Sequence, residues 1–119
     1  MSTDFDSAYS ALRDILKPHE PSLVVVHNRD DAYYLNAPKP FRGKDLFFGS
    51  VQVKKNYVSF YLMPVYMYPD LLDGMSADLK KRMQGKSCFN FKKPEPALFD
   101  ELKDLTARGL DRLRTEGYA

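Results

Sequence analysis

Residues 46–63, LFFGSVQVKKNYVSFYLM, decide how the rest of this chain can be arranged. The stretch predicts two strands joined by a tight turn at Lys55-Asn56. With that turn, Val53 faces Val58, Val51 faces Phe60 and Gly49 faces Leu62, all on one side. The other side then pairs Lys54 with Tyr57, Gln52 with Ser59, Ser50 with Tyr61 and Phe48 with Met63. A slip of one residue would set Val53 against Tyr57 and Val51 against Ser59, mixing the two faces. Side chains alternate strictly along a strand, so only the first register gives a continuous dry face. Asn56 is expected to supply the positive φ that tight hairpin turns favour.

A chain of 119 residues is the length of one domain. Folding at this size buries about two-thirds of the unfolded surface, so neither a disulfide nor a metal is needed to hold it. The single cysteine, Cys88, excludes an internal disulfide and fits a reducing compartment. No apolar run follows Met1, and none approaches the roughly 20 residues that span a bilayer. The expectation is a cytoplasmic protein with no membrane partner. The net charge of +2 is too small to imply nucleic acid by itself, and it counts against an acidic, metal-gathering surface. Tryptophan is absent, but eight Tyr and eight Phe suit strands and pockets.

Outward from the hairpin, the N-terminal segment is helical in pattern. Phe5, Ala8, Tyr9, Leu12, Ile15 and Leu16 recur at helical steps, Thr3 or Asp4 can cap, and Pro18 and Pro21 stop it. Residues 23–27 and 32–35 read as strands around the turn Asn28-Arg29-Asp30-Asp31. Residues 36–43 carry two prolines and a glycine and read as loop. Ser76 caps a short helix over 77–83, which Gly85 ends. Residues 86–92 alternate again and give a fifth strand. Pro96 opens a last helix with Leu98, Leu102, Leu105, Gly109 and Leu113 as its apolar stripe. Strands joined by short loops pair antiparallel. The expected fold is α+β: a single domain with a curved antiparallel sheet of about five strands, its N- and C-terminal helices packed on one face.

The face opposite the helices is the candidate site. It is expected to present Phe48, Ser50, Gln52, Ser59, Tyr61 and Met63, with Cys88 and Asn90 added by the fifth strand. A few hydrogen-bonding groups set among aromatic and thioether surface resemble the lining of a small-ligand pocket. A half-solvated face, or one covered by the short helix or a dimer partner, is the plainer alternative. Lys86 and Lys92 could lower the Cys88 pKa, but with no CxxC and no histidine nearby in sequence a small buried or half-buried strand residue is the better account. His19 and His27 stand apart without ligand spacing. Lys80, Lys81, Arg82, Lys86, Lys92 and Lys93 form the densest basic region. Phe89 and Phe91, interleaved with them, fall on the core side, which argues against nucleic acid as partner. No phosphate-cradling glycine loop, nucleophile elbow or paired-histidine zinc motif is present. No catalytic residue is therefore assigned.

The passages KNYVSFYLMP and GKSCFNFKKPEPALFDELKDL carry a resemblance. Together with the short helix between them, they make residues 23–113 similar to the YdhG-like proteins, a bacterial family of unassigned function. The resemblance implies a single domain over residues 1–119 with a curved antiparallel sheet. It transfers no catalytic residue. Some relatives are described as frataxin-like iron chaperones, which implies iron as a possible cargo; the slightly basic balance and the lack of an acidic ridge on the first helix depart from that. The leading expectation is a non-catalytic domain, monomer or homodimer, binding a small molecule or a protein partner on its polar-aromatic face. An intracellular iron-binding chaperone comes second, and an enzyme or nucleic-acid binder third.

Overall fold

The hairpin sits at the centre of the sheet, with the register its alternation requires. In a computed structural model, which describes residues 3–119, β3 (Phe47–Val53) and β4 (Val58–Leu62) pair Gly49 with Leu62, Val51 with Phe60 and Val53 with Val58. Ser50 lies opposite Tyr61 and Gln52 opposite Ser59. The Lys54 N–H donates to the Tyr57 carbonyl at 2.8 Å and closes the turn. Asn56 does not take a positive φ; among the described non-glycine residues only Arg42 does, at 53°. Arg42 and Gly43 (φ 79°) instead make the tight link of a small hairpin between Phe41 and Lys44, inside the stretch read as loop. Both central residues there have positive φ, which suits the twist of flanking strands.

β1 (Val24–Asn28) and β2 (Ala32–Asn36) precede the hairpin, and β5 (Cys88–Phe91) follows it. The five strands form an open antiparallel sheet in sequence order. One side packs against α1 (Thr3–Leu16) and α4 (Pro96–Thr115), so the architecture is α+β with both terminal helices on one face. Tyr33, Leu35, Val51, Val58, Phe60, Leu62, Phe89 and Phe91 fill that face beneath Ala8, Leu12 and Leu16 of α1. The rings of Phe91 and Phe99 meet edge-on at 4.8 Å and carry the contact from β5 to α4. Polar ties fix the helices in place. The Tyr9 hydroxyl donates to the Arg29 carbonyl at 2.6 Å, and the Tyr33 hydroxyl donates to Glu20.

Two glycines set close approaches. A Cβ at Gly49 would lie 3.4 Å from Leu16 of α1 and 3.0 Å from the Tyr61 carbonyl oxygen. A Cβ at Gly109 would lie 2.9 Å from the Pro64 ring, where α4 crosses α2 (Met63–Met67).

Three further expectations need correction. Met63 is not a strand partner of Phe48: it starts α2, because Pro64 fits the first turn of a helix and has no N–H for a ladder. The short helix α3 (Ala77–Lys80), capped by Ser76 through the Leu79 N–H, ends before Met83. Residues 82–84 then lie along the outer edge of β5. The Asn90 N–H donates to the Arg82 carbonyl and the Gln84 N–H to the Cys88 carbonyl, both at 2.9 Å. The third correction concerns Phe48. β2 pairs Leu35 with Gly49 but Asn36 with Phe47, so Phe48 is the extra residue of a β-bulge. It turns into the core and is 0% exposed.

Candidate functional site

The side of the sheet away from α1 and α4 carries side chains in cross-strand rows. One row runs His27, Tyr34, Ser50, Tyr61 and Cys88 from β1 to β5. A second runs Ala32, Gln52, Ser59 and Asn90 from β2 to β5. Six of the eight residues expected on this face, Ser50, Gln52, Ser59, Tyr61, Cys88 and Asn90, are therefore together. Phe48 and Met63 are not among them; Phe48 is buried in the core and Met63 packs partly against it.

In place of Phe48 the bulge delivers Phe47, whose ring lies 4.6 Å from that of Tyr34. His27 meets the other edge of Tyr34 at 5.8 Å. This aromatic end was not assigned from sequence. Two adjacent phenylalanines do not say which one the strand turns inward. Tyr34 could have been placed by carrying the alternation of β3 across to β2.

The polar end is closely hydrogen-bonded. The Ser59 hydroxyl donates to Asn90 Oδ1 at 2.7 Å, and Cys88 Sγ donates to the same oxygen at 3.3 Å. Asn90 Nδ2 donates to Gln84 Oε1 at 2.6 Å. Gln52 Nε2 donates to Ser50 Oγ at 3.2 Å and accepts at Oε1 from Lys54 Nζ at 2.8 Å. Ser50 and Ser59 are buried, forming the floor. Gln52, Tyr61, Cys88 and Asn90 are half-buried above it and carry the reachable polar atoms. α3 does not cover this face, since its buried Leu79 joins the core and its neighbour is α4.

Burial pushes the Tyr61 hydroxyl pKa up, with the neighbouring Cys88 adding to the rise. Burial likewise raises the Cys88 thiol, partly offset by hydrogen bonding with Tyr61 and Ser59 and by the Lys54 charge. Lys86 and Lys92 do not contribute a lowering, in keeping with the reading of Cys88 as a half-buried strand residue. Tyr61 and Cys88 are both neutral at physiological pH, so the pair can donate and accept hydrogen bonds but offers little thiolate for nucleophilic attack. Among the described residues no three His, Cys, Asp or Glu side chains come together as potential metal ligands. No helix among the described residues is long and apolar enough to cross a membrane.

At Asn90 the face runs into a groove of about 600 Å3 beyond β5, lined by Tyr57, residues 81–84, Lys92, Lys93 and Glu95. The basic region noted in the sequence thus frames a concavity, while Phe89 and Phe91 point the other way into the core. Compared with family models, curated proteins and solved structures, the chain matches none of them, and the site is read from its own residues.

Proposed function

We propose that this protein is a non-catalytic binding domain whose open sheet face holds a small ligand. The observation that carries the reading is the pair of cross-strand rows. Half-buried Tyr61, Gln52, Cys88 and Asn90 stand over a floor of buried serines, with the Tyr34–Phe47 ring pair at one end. Apolar ring surface beside a few fixed hydrogen-bonding groups is the usual composition of a small-molecule site. The same surface would serve a protein partner, whose docking would desolvate the two rings.

Native mass spectrometry of the protein as purified tests this. A retained small molecule is expected, and it should be lost in the Tyr61→Ala, Gln52→Ala double variant while circular dichroism stays unchanged. Unfolding of that variant would assign the face a structural role instead. Iron handling, the second reading, rests on the sequence resemblance alone. Titration calorimetry with ferrous ion supports it if heat is released at micromolar concentration, and removes it if none is.

A further inference from the structure

We infer that the groove beyond β5 is a separate site for a small phosphorylated organic anion. Its walls carry four cations, Lys81, Arg82, Lys92 and Lys93, against a single carboxylate, Glu95. Glu95 is already engaged, 3.1 Å from the Arg82 guanidinium. Lys81, Lys92 and Lys93 make no ion pair among the described residues. Ammonium groups of one sign gathered around a concavity focus a positive potential that a bound anion relieves. Lysine serves phosphate as a point charge, and hydrogen bonds to an ionised oxygen are about twice as strong as neutral ones.

The backbone holds these charges together. Residues 82–84 are hydrogen-bonded along β5, through Asn90 to Arg82 and Gln84 to Cys88, with Met83 bridging Phe89. The backbone at Lys81 and Arg82 is thereby held beside that at Lys92 and Lys93, the two ends of one antiparallel return of the chain. The backbone frame of the concavity is preformed by the fold, so binding has only the exposed lysine side chains to order. The rest of the lining points to an organic ligand. Tyr57 offers a half-buried ring and Met83 a thioether, while Gln84 and Asn90 offer amides. At about 600 Å3 the space lies within the range of small-molecule sites. The Asn90 amide, bonded to Ser59 and Gln84, is where this groove adjoins the open face, and Tyr61 and Gln52 lie outside its lining.

Titration calorimetry at low ionic strength, with inorganic pyrophosphate and adenosine monophosphate as probes, tests the assignment. Both are expected to bind, more weakly as salt is added. The Lys92→Glu, Lys93→Glu variant should lose at least about tenfold in affinity for each, as removal of charged hydrogen bonds does. Lys92→Gln, Lys93→Gln provides the same comparison should the charge reversal disturb folding. Tyr57→Ala should weaken the nucleotide and leave pyrophosphate unchanged. The Tyr61→Ala, Gln52→Ala variant should bind both probes as the wild type does, which keeps this site distinct from the open face. The assignment is overturned by an absence of heat with both probes, or by unchanged binding after charge reversal. It is equally overturned by loss of binding in the Tyr61 and Gln52 variant, or by a single-stranded oligonucleotide that binds far more tightly than the monophosphate.

Discussion

The rings of Phe47 and Tyr34 lie 4.6 Å apart on the open side of the sheet, while Phe48, the next residue, is wholly buried on the other side. Strict alternation from Gly49 and Val51 would place them the other way round. The bulge between Leu35 and Asn36 inserts one residue, so Phe48 joins the buried core and Phe47 is released to stand against Tyr34 on the open face. Phe48→Ala should therefore cost about 3–5 kcal/mol, as removal of a buried ring does. Phe47→Ala should cost about 1 kcal/mol, chiefly the ring pair. Urea denaturation of the two variants measures the difference, and equal losses would contradict the bulge.

Gly109 lies within α4, where alanine would ordinarily gain about 1 kcal/mol through helix propensity. Its missing Cβ makes room for the Pro64 ring, which a methyl group would approach to 2.9 Å. A proline ring cannot rotate aside. Gly109→Ala is expected to destabilise by about 1–3 kcal/mol in net, the usual cost of overpacking, and thermal unfolding gives the sign.

His19, in the helical turn Lys17–Ser22, has its pKa lowered by burial and then by the Arg114 charge, with Asp111 opposing. Its folded pKa lies below the ordinary value of about 6.5, so the unfolded chain binds the proton more readily. The stabilising contribution is thus present above about pH 6.5 and is lost as pH falls through the folded pKa. His19→Gln removes this dependence. Between neutral pH and about pH 5 the wild-type Tm should fall further than that of the variant.

Among the described residues no further segment is hydrogen-bonded along the outer edge of β1, whereas residues 82–84 cover β5. All residues of β1 are exposed, and Val24, Val25 and Val26 are 49%, 42% and 42% exposed. An apolar open edge invites pairing with another strand, and a lysine on it discourages this. Val26→Lys should change stability by no more than about 0.5 kcal/mol while reducing concentration-dependent association, read by static light scattering.

Local chemistry carried much of this fold in the sequence itself. The register of β3 against β4 follows from alternation in residues 46–63, because any slip buries Tyr57 or Ser59 on the dry side. Ser76 as the cap of α3, Pro96 at the start of α4, and the α4 stripe follow from backbone donors and helical spacing in the same way. Four of the candidate face residues, Ser50, Gln52, Ser59 and Tyr61, were reached from that one register, and Cys88 and Asn90 from the alternation of residues 86–92. What alternation could not supply depends on neighbours distant in the chain. Whether Phe47 or Phe48 turns inward is decided by the bulge that sets Leu35 opposite Gly49 but Asn36 opposite Phe47. Met63 leaves the strand pattern for α2, and Pro64 then comes to rest against Gly109, a contact no local spacing encodes. The basic groove exists only because residues 82–84 return to the edge of β5, which sets two separate runs of lysine and arginine face to face. Alternation and capping act between near neighbours and can be read from sequence. Close packing and the gathering of like charges act through space, and only the folded chain fixes them.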